Sequence, residues 1–164
     1  MSLHNNRVTR APRSGARAAS VVVGLVFLLV GVLGFIPGIT THLDALGLAG
    51  HDSGADLFGL FQVSVLHNVV HLVFGVAGLI AARTGKAARG YLIVTGVLYL
   101  LLALYGVLVP AGSVLNVIPL NPADDVLHVV LGVVILGLGL VLGPGATGPR
   151  GANEDIRPEP GVQG

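Results

Sequence analysis

Leu66-His67-Asn68-Val69-Val70-His71-Leu72-Val73-Phe74-Gly75 places two histidines and an asparagine in a run that is otherwise apolar enough for lipid. Polar and ionisable side chains in such a run are costly, so they turn toward the interior of a helix bundle and find partners there. His67 and His71 are four residues apart, which puts them on one helix face about 6 Å apart, with Asn68 on the flank of that face. A related stretch returns near the end of the chain: Asp125-Val126-Leu127-His128-Val129-Val130-Leu131-Gly132. Both read as an amide or carboxylate, two apolar residues, histidine, three apolar residues and glycine. A glycine four residues after each histidine lets a neighbouring backbone, or a flat ligand, come close.

The totals agree with an apolar bundle. The 164 residues make one domain's worth of chain, and only 10% of them are charged. A soluble domain carries about a quarter, so the deficit points to a membrane protein with the lipid bilayer as its first partner. The net charge of +1 supplies no field for nucleic acid, which is not expected as a partner. The absence of cysteine excludes disulfides, iron–sulfur clusters and thiol catalysis. There is no tryptophan, so Tyr91, Tyr99, Tyr105 and the phenylalanines are the expected interface anchors.

The expected fold is all-α, a four-helix transmembrane bundle with spans at about 18–36, 57–82, 90–109 and 126–142. About 20 residues at 1.5 Å each cross the hydrocarbon core. Residues 18–143 form the membrane domain, between a basic, disordered cytoplasmic tail (1–17) and a second disordered cytoplasmic tail (144–164). The first run is too long for a signal peptide and ends in Phe35-Ile36-Pro37-Gly38 rather than a small-residue cleavage site, so it is expected to be retained. A short surface helix is expected around 43–48. Asp124 and Asp125 are placed to cap the fourth helix and meet its dipole.

Charge sets the expected topology. Every Lys and Arg lies in the first tail, in the turn holding Arg83, Lys86 and Arg89, or in the last tail, and the other two loops hold Asp44, Asp52, Asp56, Asp124 and Asp125. The positive-inside rule then puts both termini in the cytoplasm. The histidine–glycine match, with a looser match of Gly24 through Phe27 to Pro37 onto Gly96 through Tyr99 to Pro110, suggests two tandem helical hairpins. Their relating axis would run along the membrane normal, as in parallel transporter repeats.

The Leu66–Leu72 motif, the segment Gly34-Phe35-Ile36-Pro37-Gly38-Ile39-Thr40 and the Asp125-Val126-Leu127-His128 motif resemble a bacterial family of small four-span membrane proteins known only as a domain of unknown function. The resemblance covers roughly Val21 to Leu142. It implies the fold and a plasma-membrane location, and it brings no activity.

The polar centre expected from the sequence is His67, Asn68, His71, Asp125 and His128. Its first reading is helix glue: hydrogen bonds that fix which helices pair, or that serve a membrane-protein partner or homo-oligomer. A second reading is a bis-histidine haem b site on His71 and His128, with His67 able to replace His71. A third is a divalent metal on His67, His71, His128 and Asp124, since the i, i+4 spacing of His67 and His71 suits zinc or copper. A fourth is a small transporter or proton-handling protein, although the inner halves of the spans lack ionisable groups. No catalytic residue is assigned: Ser64 has no surrounding nucleophile elbow, and no H-E-x-x-H is present.

Overall fold

A computed structural model describes residues 15–50, 53–109, 113, 115 and 117–143. Among these residues the chain is mostly helical. The helices are α1 (Gly15–Leu33), α2 (Val65–Ala81), α3 (Gly85–Leu108) and α4 (Pro122–Val141). Three of them, α1, α3 and α4, are long and apolar enough to cross a membrane. α2 is equally apolar but has 17 residues, about 25 Å at helical rise.

An all-α fold needs one correction. Between α1 and α2 lies a three-stranded antiparallel sheet in the order β1-β2-β3, formed by β1 (Thr40–Thr41), β2 (Ala55–Leu57) and β3 (Phe61–Val63). In its register Thr40 faces Leu57, Ala55 faces Val63 and Leu57 faces Phe61. The second apolar run therefore does not become helix at residue 57. Phe58 and Gly59 both take positive φ, 56° and 66°, and turn β2 back onto β3. A tight turn of this hand joins antiparallel strands. Helix begins only after Ser64, whose hydroxyl accepts from the His67 N–H at 3.1 Å as an N-cap. The expected surface helix at 43–48 is a single 3-10 turn, Leu43–Ala45.

The other bounds shift by the same capping logic. α3 starts at Gly85, because the Thr84 side chain accepts from Ala87 N–H. α4 starts at Pro122, because Asn121 caps it in a reciprocal box with Asp124. Asp124 is thus the box partner and Asn121 the cap. α1 takes in Gly15 to Arg17, which the sequence assigns to the first tail; the rest of that tail and residues 144–164 lie outside the described residues.

The packing is inverted relative to a water-soluble bundle. α1 turns Ala16, Ser20, Gly24, Phe27 and Gly31 inward and leaves Val22, Leu25 and Leu29 exposed. α3 likewise buries Ala88, Thr95, Gly96 and Ala103 and exposes Val94, Leu101 and Leu104. Small and polar residues inside with valine and leucine outside is the pattern of helices that meet in lipid. Two apolar clusters hold the fold. One joins the helices through Phe27, Leu92, Tyr99 and Ile135. The other seats Ala55, Leu57 and Val63 of the sheet against Val30 and Leu33 of α1.

Candidate functional site

The chain packs as two hairpins, α1 on α2 and α3 on α4, and several contacts of one hairpin recur in the other. In the first, a Cβ added to Gly24 would lie 3.2 Å from the Leu79 nitrogen, and one on Gly75 would lie 2.6 Å from Leu28 Cγ. In the second, a Cβ added to Gly96 would lie 2.5 Å from the Leu136 nitrogen, and one on Gly132 would lie 2.8 Å from Leu100 Cγ. Gly34 abuts the Asn68 side chain as Gly106 abuts that of Asp125. Arg17 donates from Nε to the Ala82 carbonyl at 2.8 Å, and Arg89 does the same to the Gly139 carbonyl at 3.0 Å. Each guanidinium meets the carbonyl end of the partner helix, where positive charge is favoured. Ser64 and Asn121 cap the second helix of each pair. These pairs stand at one constant spacing along α1 and α3 and at another along α2 and α4.

The hairpins meet at rings. Phe27 stacks on its repeat equivalent Tyr99, with centroids 5.3 Å apart and planes 11° apart. Within the first hairpin Phe27 meets His71 edge-on at 5.4 Å and 65°; within the second Tyr99 meets His128 at 5.0 Å and 66°. The two histidine–aromatic pairs thus have matching geometry about the Phe27–Tyr99 stack. Edge-to-face and offset-stacked rings at such separations each add about 0.5–1.5 kcal/mol beyond burial. The match is not complete: the Tyr99 hydroxyl hydrogen-bonds His71 Nε2 across the junction at 3.0 Å, and Phe27 has no hydroxyl to offer His128.

His71 is held at its other nitrogen too, with Nδ1 3.0 Å from the His67 carbonyl. That contact gives Nδ1 the proton and leaves Nε2 to accept from Tyr99. The His67 ring stacks on His71 at 4.3 Å and 20°, closer than helix spacing alone implies. His128 is buried, and its Nδ1 has no hydrogen-bond partner among the described residues.

The structure thus brings together His67, His71 and His128 and adds Phe27 and Tyr99. Asn68 and Asp125 take another place. They lie against Gly34 and Gly106 on the preceding helices, with both Asn68 amide atoms and Asp125 Oδ1 buried and unpartnered among the described residues. Asp124 Oδ2 accepts from the Asn121 and Gln62 backbone N–H groups, both at 3.0 Å, and so ties α4 to β3. Tyr99 is a core residue rather than an interface anchor. Tyr91 donates to the Phe74 carbonyl, and Tyr105 bonds Leu115 and Val117. The signal for Phe27 and Tyr99 was available in the repeat, which aligns them with each other.

Two cavities flank the ring cluster and share Phe27, His67, His71, Tyr99 and His128 as a common wall. One, of about 220 Å³, lies between α2 and α3. The other, of about 100 Å³, lies between α1 and α4. Their remaining walls correspond through the repeat: Val70, Phe74 and Leu98 in the first stand where Leu127, Leu131 and Val26 stand in the second. The space between His71 and His128, where a porphyrin plane would sit, is taken by Tyr99, which touches both. Among the described residues no three His, Cys, Asp or Glu side chains are arranged to hold a metal ion.

Four helices in two equivalent hairpins, three of them of membrane-spanning length and composition, joined by a buried ring cluster, define a small helical protein compatible with a bilayer. The chain belongs to the family described as a domain of unknown function (DUF4383), whose model matches residues 17–141. No curated protein and no solved structure matches it.

Proposed function

We propose that this is a four-span protein of the bacterial plasma membrane, with both termini cytoplasmic, whose histidine centre couples two helical hairpins about a pseudo-twofold axis. The matched Phe27–His71 and Tyr99–His128 pairs carry this reading. They lie on equivalent helices and meet in a single stack, so the centre works as a joint between halves. In lipid such polar contacts are worth about 1 kcal/mol each, enough to choose among packings that apolar surface alone leaves nearly equal. The lipid-facing valines and leucines support insertion. α2 falls at the short end of the range that spans a bilayer, about 17–25 residues. Arg17 and Arg89 stand at one end of the bundle, while Asp56 and Asp124 stand with the sheet at the other. With positive charge inside, the sheet faces outward.

The test is an absorption spectrum with metal analysis on protein purified from cells supplied with haem and metals, alongside His128→Gln and His128→Ala. The joint reading expects no Soret band and no stoichiometric metal. It expects His128→Gln to keep the fold and His128→Ala to lose roughly 2 kcal/mol through the ring contact with Tyr99. A Soret band lost in His71→Ala or His128→Ala would replace the joint with a haem site, and stoichiometric zinc or copper would replace it with a metal site.

A further inference from the structure

The two cavities are equivalent by the repeat yet differ about twofold in volume. The sheet explains the difference. Leu57, Phe58 and Phe61 close the cavity between α1 and α4. Its twin between α2 and α3 has, among the described residues, Ile118 and Pro119 above it. Among the described residues the larger cavity is lined by apolar side chains together with Ser64, His67, His71, Tyr99 and His128, and by no Asp, Glu, Lys or Arg. Its rim residues Leu66, Val70 and Leu98 are exposed on the apolar belt, so its mouth opens sideways toward lipid. At about 220 Å³ it exceeds the roughly 150 Å³ of an engineered apolar cavity that takes benzene.

Two histidines that line it keep unbonded ring nitrogens among the described residues: His128, whose Nδ1 is fully buried, and His67. The His67 ring stacks on His71, and its nitrogens make no hydrogen bond among the described residues. At the equivalent position of the smaller cavity stands Asp124, already engaged by two backbone N–H groups. An unengaged imidazole in a largely apolar, lipid-open cavity selects a ligand that offers an uncharged hydrogen-bonding oxygen. The absence of any charged wall residue selects against an ionised head, whose desolvation nothing there would offset.

We infer that the α2–α3 cavity binds an uncharged amphiphile from the lipid phase, with its oxygen head on the His67 imidazole and its apolar body between Val70, Phe74 and Leu98. An isoprenoid quinone and a neutral glyceride share this chemistry. The inference rests on the membrane reading above.

The experiment uses the full chain in lipid nanodiscs and a decanol carrying a photoreactive diazirine, with labelled peptides located by mass spectrometry. Saturable labelling of α2 and α3 is expected, displaced by decanol and not by decanoate at pH 8. His67→Leu should raise the half-saturating concentration roughly fivefold, the worth of one hydrogen bond of about 1 kcal/mol. Val70→Phe and Leu98→Phe, both at the rim, should abolish labelling with melting temperatures kept. Labelling that does not saturate, that persists in both phenylalanine variants, or that decanoate displaces as well as decanol would overturn the site. Release of the protein from membranes by alkaline carbonate would instead overturn the membrane reading, and it is scored before reconstitution. A solvent extract of the purified protein then tells quinone from glyceride by mass, and an extract holding only charged phospholipid counts against the site.

Discussion

Substituting Gly96 by alanine puts a methyl group where the α4 backbone already is. The added Cβ would lie 2.5 Å from the Leu136 nitrogen and 2.7 Å from its Cα. Ordinary contact between such atoms begins near 3.5 Å, so α3 and α4 must part by roughly 1 Å at that point. Both obstacles are backbone, and no side chain can swing away to absorb the strain. Overpacking of this kind costs about 1–3 kcal/mol, set against a gain of up to about 1 kcal/mol for alanine over glycine in a helix. Because both obstacles are backbone, the cost falls at the top of that range, and the net expectation for Gly96→Ala is a loss of about 2 kcal/mol. Gly24→Ala, whose Cβ would lie 2.9 Å from the Gly75 carbonyl oxygen, should lose about half as much. Gly137 has nothing within 4 Å, so Gly137→Ala is the control and should be neutral or slightly stabilising. Unfolding by titration with a denaturing detergent in mixed micelles, followed by helical circular dichroism, reads all three. If Gly96→Ala proves as stable as Gly137→Ala, the close α3–α4 approach described here is wrong.

Tyr99→Phe removes the hydroxyl from His71 and should cost about 1 kcal/mol in the same titration; Phe27→Tyr added to it places a hydroxyl toward His128 by the repeat and should recover most of that loss. Arg17→Gln and Arg89→Gln break equivalent ties to the Ala82 and Gly139 carbonyls, so the loss of each tie should cost about 1 kcal/mol. Asn121→Ala removes the α4 cap and its bond to the Leu60 carbonyl, and should lower stability by about 1 kcal/mol with earlier amide exchange in the first turn of α4.

The helices and their inward faces were legible because long apolar runs leave the chain few options. A long apolar run must satisfy its backbone internally, and helix does so. The sheet was not legible, because Leu57-Phe58-Gly59-Leu60-Phe61 is apolar and adjoins a true helix. Only Ser64 as a cap and the turn at Phe58 and Gly59 separate the two, and a phenylalanine gives no sequence sign of positive φ. The histidines were picked out by their cost in an apolar run, which also drew in Asn68 and Asp125. Those two share the polarity but face Gly34 and Gly106, a direction that depends on how the preceding helix returns. Tyr99 was hidden for the opposite reason. Tyrosine is common at interfaces, and its place in the core follows only from pairing it with Phe27 across the repeat. The cavities depend on the sheet covering one side of the bundle, which local patterns do not encode.

The most direct test of two equivalent hairpins in a bilayer is sidedness. The chain has no cysteine of its own, so single cysteines report without background. Asp44→Cys lies beside the sheet, Ser113→Cys between α3 and α4, and Lys86→Cys in the turn between the hairpins. On intact cells treated with a membrane-impermeant maleimide, Asp44→Cys and Ser113→Cys should label, and Lys86→Cys should label only after permeabilisation. Labelling of Asp44→Cys and Lys86→Cys from the same side would mean that α2 does not cross, and the two-hairpin account would fail.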